Sequence, residues 1–69
     1  MTERLLNRLR EERERLGITQ AELAQRVGVS RKTINTIENI VFSPSALLAI
    51  RIARTFDRPV EDIFWIGEA

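Results

Sequence analysis

One stretch constrains this chain more than any other: TQAELAQRVGVSRKTINTIEN, residues 19–39. Thr19 followed three positions later by Glu22 forms a capping-box pattern, which typically starts a helix. Gly28 suits the left-handed end of that helix, and Ser30 is a typical cap for a second helix. The stretch therefore predicts two short helices joined by a tight glycine turn.

The second of these helices is expected to have two different faces. The first helix should run from about Gln20 to Val27, and in the second Ile34 and Ile37 are spaced to turn inward. The opposite side of the second helix is polar and carries Arg31, Lys32, Thr33, Asn35 and Thr36. Such side chains bond phosphates and base edges when a helix lies in a DNA major groove, although a solvated face has the same composition.

The N-terminal segment reads as one amphipathic helix from Thr2 to Leu16. Leu5 and Leu9 share an apolar stripe with Leu16, while charged residues occupy the other faces. Glu11 and Arg15 are spaced as a favourable i,i+4 ion pair, which supports a helix without defining a site.

The C-terminal third predicts two more helices. One is expected to start near Ser45, and Pro59 is well placed to open a last short helix that includes Phe64. Residues 64–66 are an alternative short strand within a tail that runs to residue 69. The chain as a whole, residues 1–69, is thus predicted to be one compact all-α domain of five helices.

Composition mainly excludes functions. The chain of 69 residues contains no cysteine and no histidine, which rules out disulfides, thiol catalysis and Cys/His zinc sites. It also has no glycine-rich phosphate loop, so we expect neither an enzyme nor a metal or cofactor. No apolar run has membrane-spanning length, and a cytoplasmic protein is expected. Because the formal net charge is only +1, any role with nucleic acid must depend on where the charges lie.

A resemblance to a known family rests on three parts of the central stretch: residues 19–24, the Gly28-Val29-Ser30 turn, and residues 34–39. Together they resemble the lambda-repressor-like, or Xre-type, helix-turn-helix regulators. Pro44-Ser45, Ile52-Ala53 and residues 60–64 resemble the later helices of small members, so nearly the whole chain is covered. The resemblance implies a compact five-helix domain that binds a palindromic DNA operator as a homodimer and represses transcription.

The same resemblance implies roles for individual residues. Gln20 matches the family position whose side chain and backbone anchor a DNA phosphate. Asn39 matches a position that either caps the second motif helix or touches phosphate. Arg13 and Glu38 match an inward, structural salt bridge. The positions of the second motif helix that face or flank the bases are Ser30, Arg31, Lys32, Thr33, Asn35 and Thr36.

The chain departs from the family pattern just after Asn39. Many relatives have glycine and then a cation there, whereas this chain has Ile40 and Val41. A β-branched residue is poorly suited to a left-handed helix end, so the turn must differ or carry strain. With Phe42 these residues form an apolar cluster that either packs beneath the loop or provides a surface for a protein partner.

A dimer surface is expected in the C-terminal third, from Leu47, Phe64, Trp65 and Ile66. Interface cores favour aromatic anchors, although a tryptophan at a chain end can equally fold back onto its own core. The leading hypothesis is a sequence-specific double-stranded DNA-binding regulator. The alternative is a protein-interaction module, such as an antitoxin or antirepressor-type partner.

Overall fold

The computed structural model describes residues 2–68, which form four α-helices, one 3-10 turn and a two-stranded sheet. In chain order the elements are β1 (Glu3–Asn7), α1 (Leu9–Leu16), α2 (Gln20–Val27), α3 (Arg31–Glu38), α4 (Ala46–Thr55), the 3-10 turn Val60–Asp62, and β2 (Phe64–Glu68).

The central pair α2 and α3 forms as the sequence predicts. Thr19 accepts a hydrogen bond from the Glu22 amide at 3.0 Å, and the Glu22 carboxylate accepts one from the Thr19 amide at 2.9 Å. Gly28 ends α2 in the left-handed conformation with φ 77°. Ser30 then caps α3, because its hydroxyl accepts from the Thr33 amide at 3.1 Å.

The prediction of one N-terminal helix from Thr2 to Leu16 was wrong in its first half. Residues 3–7 form β1, which pairs antiparallel with β2 so that Leu5 lies opposite Ile66. Asn7, the last residue of β1, also fixes the start of α1, because its Oδ1 accepts a hydrogen bond from the Leu9 amide at 3.0 Å. Pairing with a strand some 60 residues away outweighs the high helix propensity of Glu, Arg and Leu at these positions.

The C-terminal part also differs from a five-helix, all-α fold. After Pro59 only one 3-10 turn forms, and Phe64 belongs to β2 instead of to a helix. The alternative short strand at residues 64–66 is confirmed and extends to Glu68. Residues 2–68 therefore form a four-helix domain with a small sheet that pairs residues 3–7 with residues 64–68.

The core lies between α2, α3, α4 and the sheet. Its largest fully buried side chains are Leu9, Leu23, Ile34, Ile37, Ile52 and Ile63. Leu16, predicted to share the apolar stripe with the buried Leu9, is exposed; it is the last residue of α1.

A buried carboxylate ties α1 to the turn after α4. Glu12 accepts hydrogen bonds from Arg15 at 2.9 Å and from Arg58 at 2.8 Å. The Arg15 bond, helped by the charge of Arg58, outweighs burial and lowers the pKa of Glu12. The predicted ion pair between Glu11 and Arg15 is therefore absent from residues 2–68, where Arg15 pairs with Glu12 instead.

Candidate nucleic-acid interface

Helix α3 lies with one face in the core and the other in solvent. Ile34 and Ile37 are fully buried and fix the helix against α2. We call the opposite side of α3 the recognition face; it comprises Ser30, Arg31, Lys32, Thr33, Asn35 and Thr36, of which Thr33 and Thr36 are half-buried and the others exposed. Ser30, Arg31, Lys32 and Asn35 are therefore accessible to a ligand.

The hydroxyl groups of the recognition face bond mainly to the helix itself. Ser30 Oγ lies 2.9 Å from Thr33 Oγ1, and Thr36 Oγ1 donates to the Thr33 carbonyl at 2.9 Å. These bonds stiffen the first two turns of α3. The most accessible polar groups of the recognition face are therefore the side chains of Arg31, Lys32 and Asn35.

Arg31 and Lys32 are available to an anionic ligand. Both are exposed, and neither forms an ion pair with any of residues 2–68. They line a depression of about 340 Å³ together with Gln20 and Asn35. This depression joins the start of α2 to the recognition face.

The start of α2 presents backbone donors next to these cations. The amides of Gln20 and Ala21 occupy the first turn, where no carbonyl of the helix is in reach. A wider depression of about 750 Å³ runs from Gly17 past these amides to Arg31. A phosphate placed here would meet both amide groups and a guanidinium.

The predicted pair Arg13–Glu38 is confirmed. Arg13 Nε lies 2.8 Å from Glu38 Oε2, and the Glu38 side chain is 0% exposed. Arg10, which sequence reasoning missed, approaches Glu38 Oε1 at 3.5 Å from the solvent side. The sequence could have indicated this contact, because Arg10 lies three residues before Arg13 and so on the same side of α1.

Glu38 also holds the side chain of Gln20. Gln20 Nε2 donates to Glu38 Oε1 at 3.1 Å and to Asn35 Oδ1 at 3.2 Å. Burial alone would raise the pKa of Glu38, but hydrogen bonds from Arg13 and then Gln20 outweigh it and hold that pKa below its ordinary value. Because both Nε2 hydrogens are used, the side-chain part of the predicted Gln20–phosphate contact is not available in this arrangement. The backbone amide of Gln20 is.

Asn39 caps α3, one of the two roles considered for it. Its Nδ2 donates to the Asn35 carbonyl at 2.9 Å and to Asn35 Oδ1 at 3.2 Å.

The chain beyond α3 carries the strain expected from the sequence. Ile40 adopts the left-handed conformation with φ 58°, where a β-branched residue is a genuine outlier. Arg4 Nη2 donates to the Ile40 carbonyl at 2.7 Å, so β1 braces this turn. Val41 and Phe42 are 73% and 48% exposed, which does not fit packing beneath the loop. We call Ile40, Val41 and Phe42 the exit surface.

The four residues predicted at a dimer interface separate into two groups. Phe64 is buried in the core of its own chain, which corrects its assignment to a partner surface. Leu47 and Ile66 are 63% and 69% exposed, and Trp65 is partly exposed with the Arg8 guanidinium 5.3 Å from its ring centroid. Ile50, one turn after Leu47 on α4, is an exposed apolar side chain that sequence reasoning missed.

Comparison with known proteins adds an independent observation. Residues 9–63 match the family described as helix-turn-helix. The chain is 54% identical over 61 residues to an uncharacterized HTH-type transcriptional regulator of Methanothermobacter thermautotrophicus, covering 87% of this chain and 88% of that protein. It is 42% identical over 62 residues to the uncharacterized HTH-type transcriptional regulator YgzD of Bacillus subtilis, covering 90% and 94%. A third such protein, from Archaeoglobus fulgidus, is 49% identical over 57 residues, covering 83% and 81%.

Among residues 2–68, no helix has both the length and the apolar character needed to cross a bilayer.

Proposed function

The chain belongs to the helix-turn-helix family, and on that premise we propose that it is a sequence-specific regulator of transcription that binds double-stranded DNA. The observation that carries this proposal is the recognition face, where Arg31 and Lys32 are exposed and unpaired within residues 2–68, beside the free amides of α2. Guanidinium and ammonium groups are suited to guanine edges and phosphates, while helix-terminal amides bind phosphate. The relatives' names as transcriptional regulators support the same function.

The domain would dock with α3 in the major groove. The amides of Gln20 and Ala21 would bind a backbone phosphate and set the register, and Arg31 and Lys32 would then reach base edges or neighbouring phosphates. Asn39 would serve mainly as a helix cap, because both of its amide donors bond to Asn35. A cytoplasmic location forms part of this proposal.

We further propose a homodimer that occupies a palindromic operator and represses transcription. The exposed apolar residues Leu47 and Ile50 of α4 and Ile66 of β2 support an association surface on these two elements. Two copies related by a twofold axis would read half-sites about one DNA turn apart, roughly 34–36 Å.

Selection of bound sequences from a random duplex library, followed by titration at several salt concentrations, tests this function. We expect an enriched palindrome and an affinity that falls steeply with salt as phosphate contacts are lost. Arg31→Ala and Lys32→Ala should each weaken binding about tenfold, whereas Arg51→Ala, an exposed arginine on α4, should leave it unchanged. No enrichment, or equal loss in all three variants, would contradict the proposal.

The exit surface favours a second candidate function, a protein-interaction module. Val41 and Phe42 are apolar, adjacent and exposed, and a depression of about 400 Å³ lies between them and β1. Under this alternative, the double variant Val41→Ser, Phe42→Ser would no longer bind its protein partner in the cell, while its binding to DNA would be unchanged. Arg31→Ala would then have no effect.

A further inference from the structure

The two amide side chains at the α2–α3 junction are fixed in orientation by the buried carboxylate of Glu38. An ionised carboxylate only accepts hydrogen bonds, so the group of Gln20 that faces Glu38 Oε1 at 3.1 Å must be the NH₂ group. Its second hydrogen is used by Asn35 Oδ1 at 3.2 Å. The polar atom of Gln20 that remains available is therefore Oε1, an acceptor.

The orientation of Asn35 follows from that of Gln20. Asn35 Oδ1 accepts from Gln20 Nε2 and also from Asn39 Nδ2, each at 3.2 Å. Oδ1 must then be the oxygen, and the NH₂ group of Asn35 is left to face away from both partners. It makes no hydrogen bond to any of residues 2–68. A free acceptor on Gln20 and a free donor on Asn35 thus belong to two hydrogen-bonded side chains that line the same depression as Arg31.

We propose that Gln20 and Asn35 together form a reader for one adenine, with Gln20 Oε1 accepting from N6–H and Asn35 Nδ2 donating to N7. Adenine is the base whose major-groove edge places a donor next to an acceptor. Guanine offers two acceptors there, so Gln20 Oε1 would face an acceptor and lose its bond. Thymine offers O4 and a methyl group, and cytosine offers only N4–H₂, so each satisfies at most one of the two groups.

This reader explains why a glutamine on α2 and an asparagine on α3 act as one unit. A single glutamine or asparagine normally makes both bonds to adenine. Here each side chain supplies one bond, because Gln20 Nε2 is bonded to Asn35 and Glu38, and Asn35 Oδ1 is bonded to Gln20 and Asn39. Glu38 is therefore a positioning residue, and Gln20 and Asn35 are the specificity-determining residues.

The proposal rests on the proposed DNA-binding function, and base analogues in the selected duplex test it without altering the protein. The adenine is located as the position whose preference is weakened in both Gln20→Ala and Asn35→Ala but unchanged in Gln25→Ala, an exposed glutamine on α2. At that position, 7-deazaadenine lacks the N7 acceptor, and purine lacks the 6-amino group. Each analogue should weaken wild-type binding roughly threefold to tenfold.

The pattern in the variants separates the two roles. Asn35→Ala should be insensitive to 7-deazaadenine yet still sensitive to purine, and Gln20→Ala should show the reverse. A protein that selects a specific duplex but shows no such adenine, or whose variants respond alike to both analogues, overturns the adenine reader and leaves the DNA-binding proposal standing. Failure to select any duplex overturns both.

Discussion

Helix α3 and the chain that follows it are built in opposite ways. The helix begins at a serine cap, and on its side facing α2 Glu38 binds Arg13 and Gln20, while Gln20 also binds Asn35. Beyond Asn39, Ile40 is strained and Val41 and Phe42 are exposed to solvent. The difference indicates that the side facing α2 is fixed for recognition, whereas Val41 and Phe42 of the exit surface are not held by side-chain packing.

The largest effect is expected from breaking the ion pair behind the recognition face. Glu38→Gln leaves Arg13 without a counter-charge, and loss of one partner of a buried pair costs about 3–5 kcal/mol. We expect urea denaturation to show a loss of that size in the free energy of unfolding. Glu11→Gln, an exposed glutamate on α1, is the matched control and should change stability little. Similar stability in both variants would show that the pair does not hold α3.

Lowering the pH should weaken the Arg13–Glu38 pair, and the contacts of Glu12, more gradually than a substitution does. The pKa values of Glu38 and Glu12 lie below the ordinary value of 4.5, so both carboxylates stay ionised in the folded state where they would begin to protonate in the unfolded chain. Their contribution is therefore fully present above about pH 4.5 and is lost as pH falls through the lower folded values. Thermal melts between pH 7 and pH 3 should be flat at first and then fall. Glu11→Gln should follow the same curve, and a melting temperature that rises below pH 4.5 would contradict this assignment.

The cap of α3 offers a smaller and more local test. Ser30→Ala and Ser45→Ala each remove a hydroxyl that accepts a helix-terminal amide, at 3.1 Å in both cases, and each should cost about 1 kcal/mol. Calorimetry should therefore find similar losses. Only Ser30→Ala should also weaken DNA binding, because Ser45 caps α4, away from the recognition face. Equal binding by the two variants would argue that the start of α3 does not contact DNA.

The smallest effect is expected at the strained turn. Left-handed conformation in a β-branched residue costs about 1–3 kcal/mol, and Ile40→Gly removes that cost. The substitution also loses a half-buried side chain, worth on the order of 1 kcal/mol, so the net gain in stability should be about 1 kcal/mol or less. Val41→Gly, at a position without positive φ, should instead be neutral or destabilising. A marked loss in Ile40→Gly would show that its packing outweighs its strain.

The motif was readable from sequence because its signals are local. Thr19, Gly28 and Ser30 act within three residues of the helix ends that they define. The Arg13–Glu38 pair was predicted from family resemblance and is present. In contrast, β1 exists because Leu5 and its neighbours pair with β2 at the far end of the chain. No pattern within residues 2–16 records that partner, and Leu, Arg and Glu favour a helix when considered alone.

The candidate site was predicted in its residues but not in its hydrogen bonding. The sequence identified Gln20 and Asn35 as site residues. It did not indicate that both Nε2 hydrogens of Gln20 would be used, one by Glu38 and the other by Asn35. Phe64 was misplaced for a related reason. Its burial depends on the strand pairing, which turns its side chain toward the core and leaves Trp65 on the opposite face.

One measurement compares the α2–α3 side of the domain with the exit surface directly: amide chemical-shift changes of the ¹⁵N-labelled protein on titration with the selected duplex. We predict that the largest changes cluster at Gln20, Arg31 and Asn35, and that Val41 and Phe42 change little. Changes centred on Val41 and Phe42, with α3 unaffected, would contradict the assignment of the recognition face to DNA.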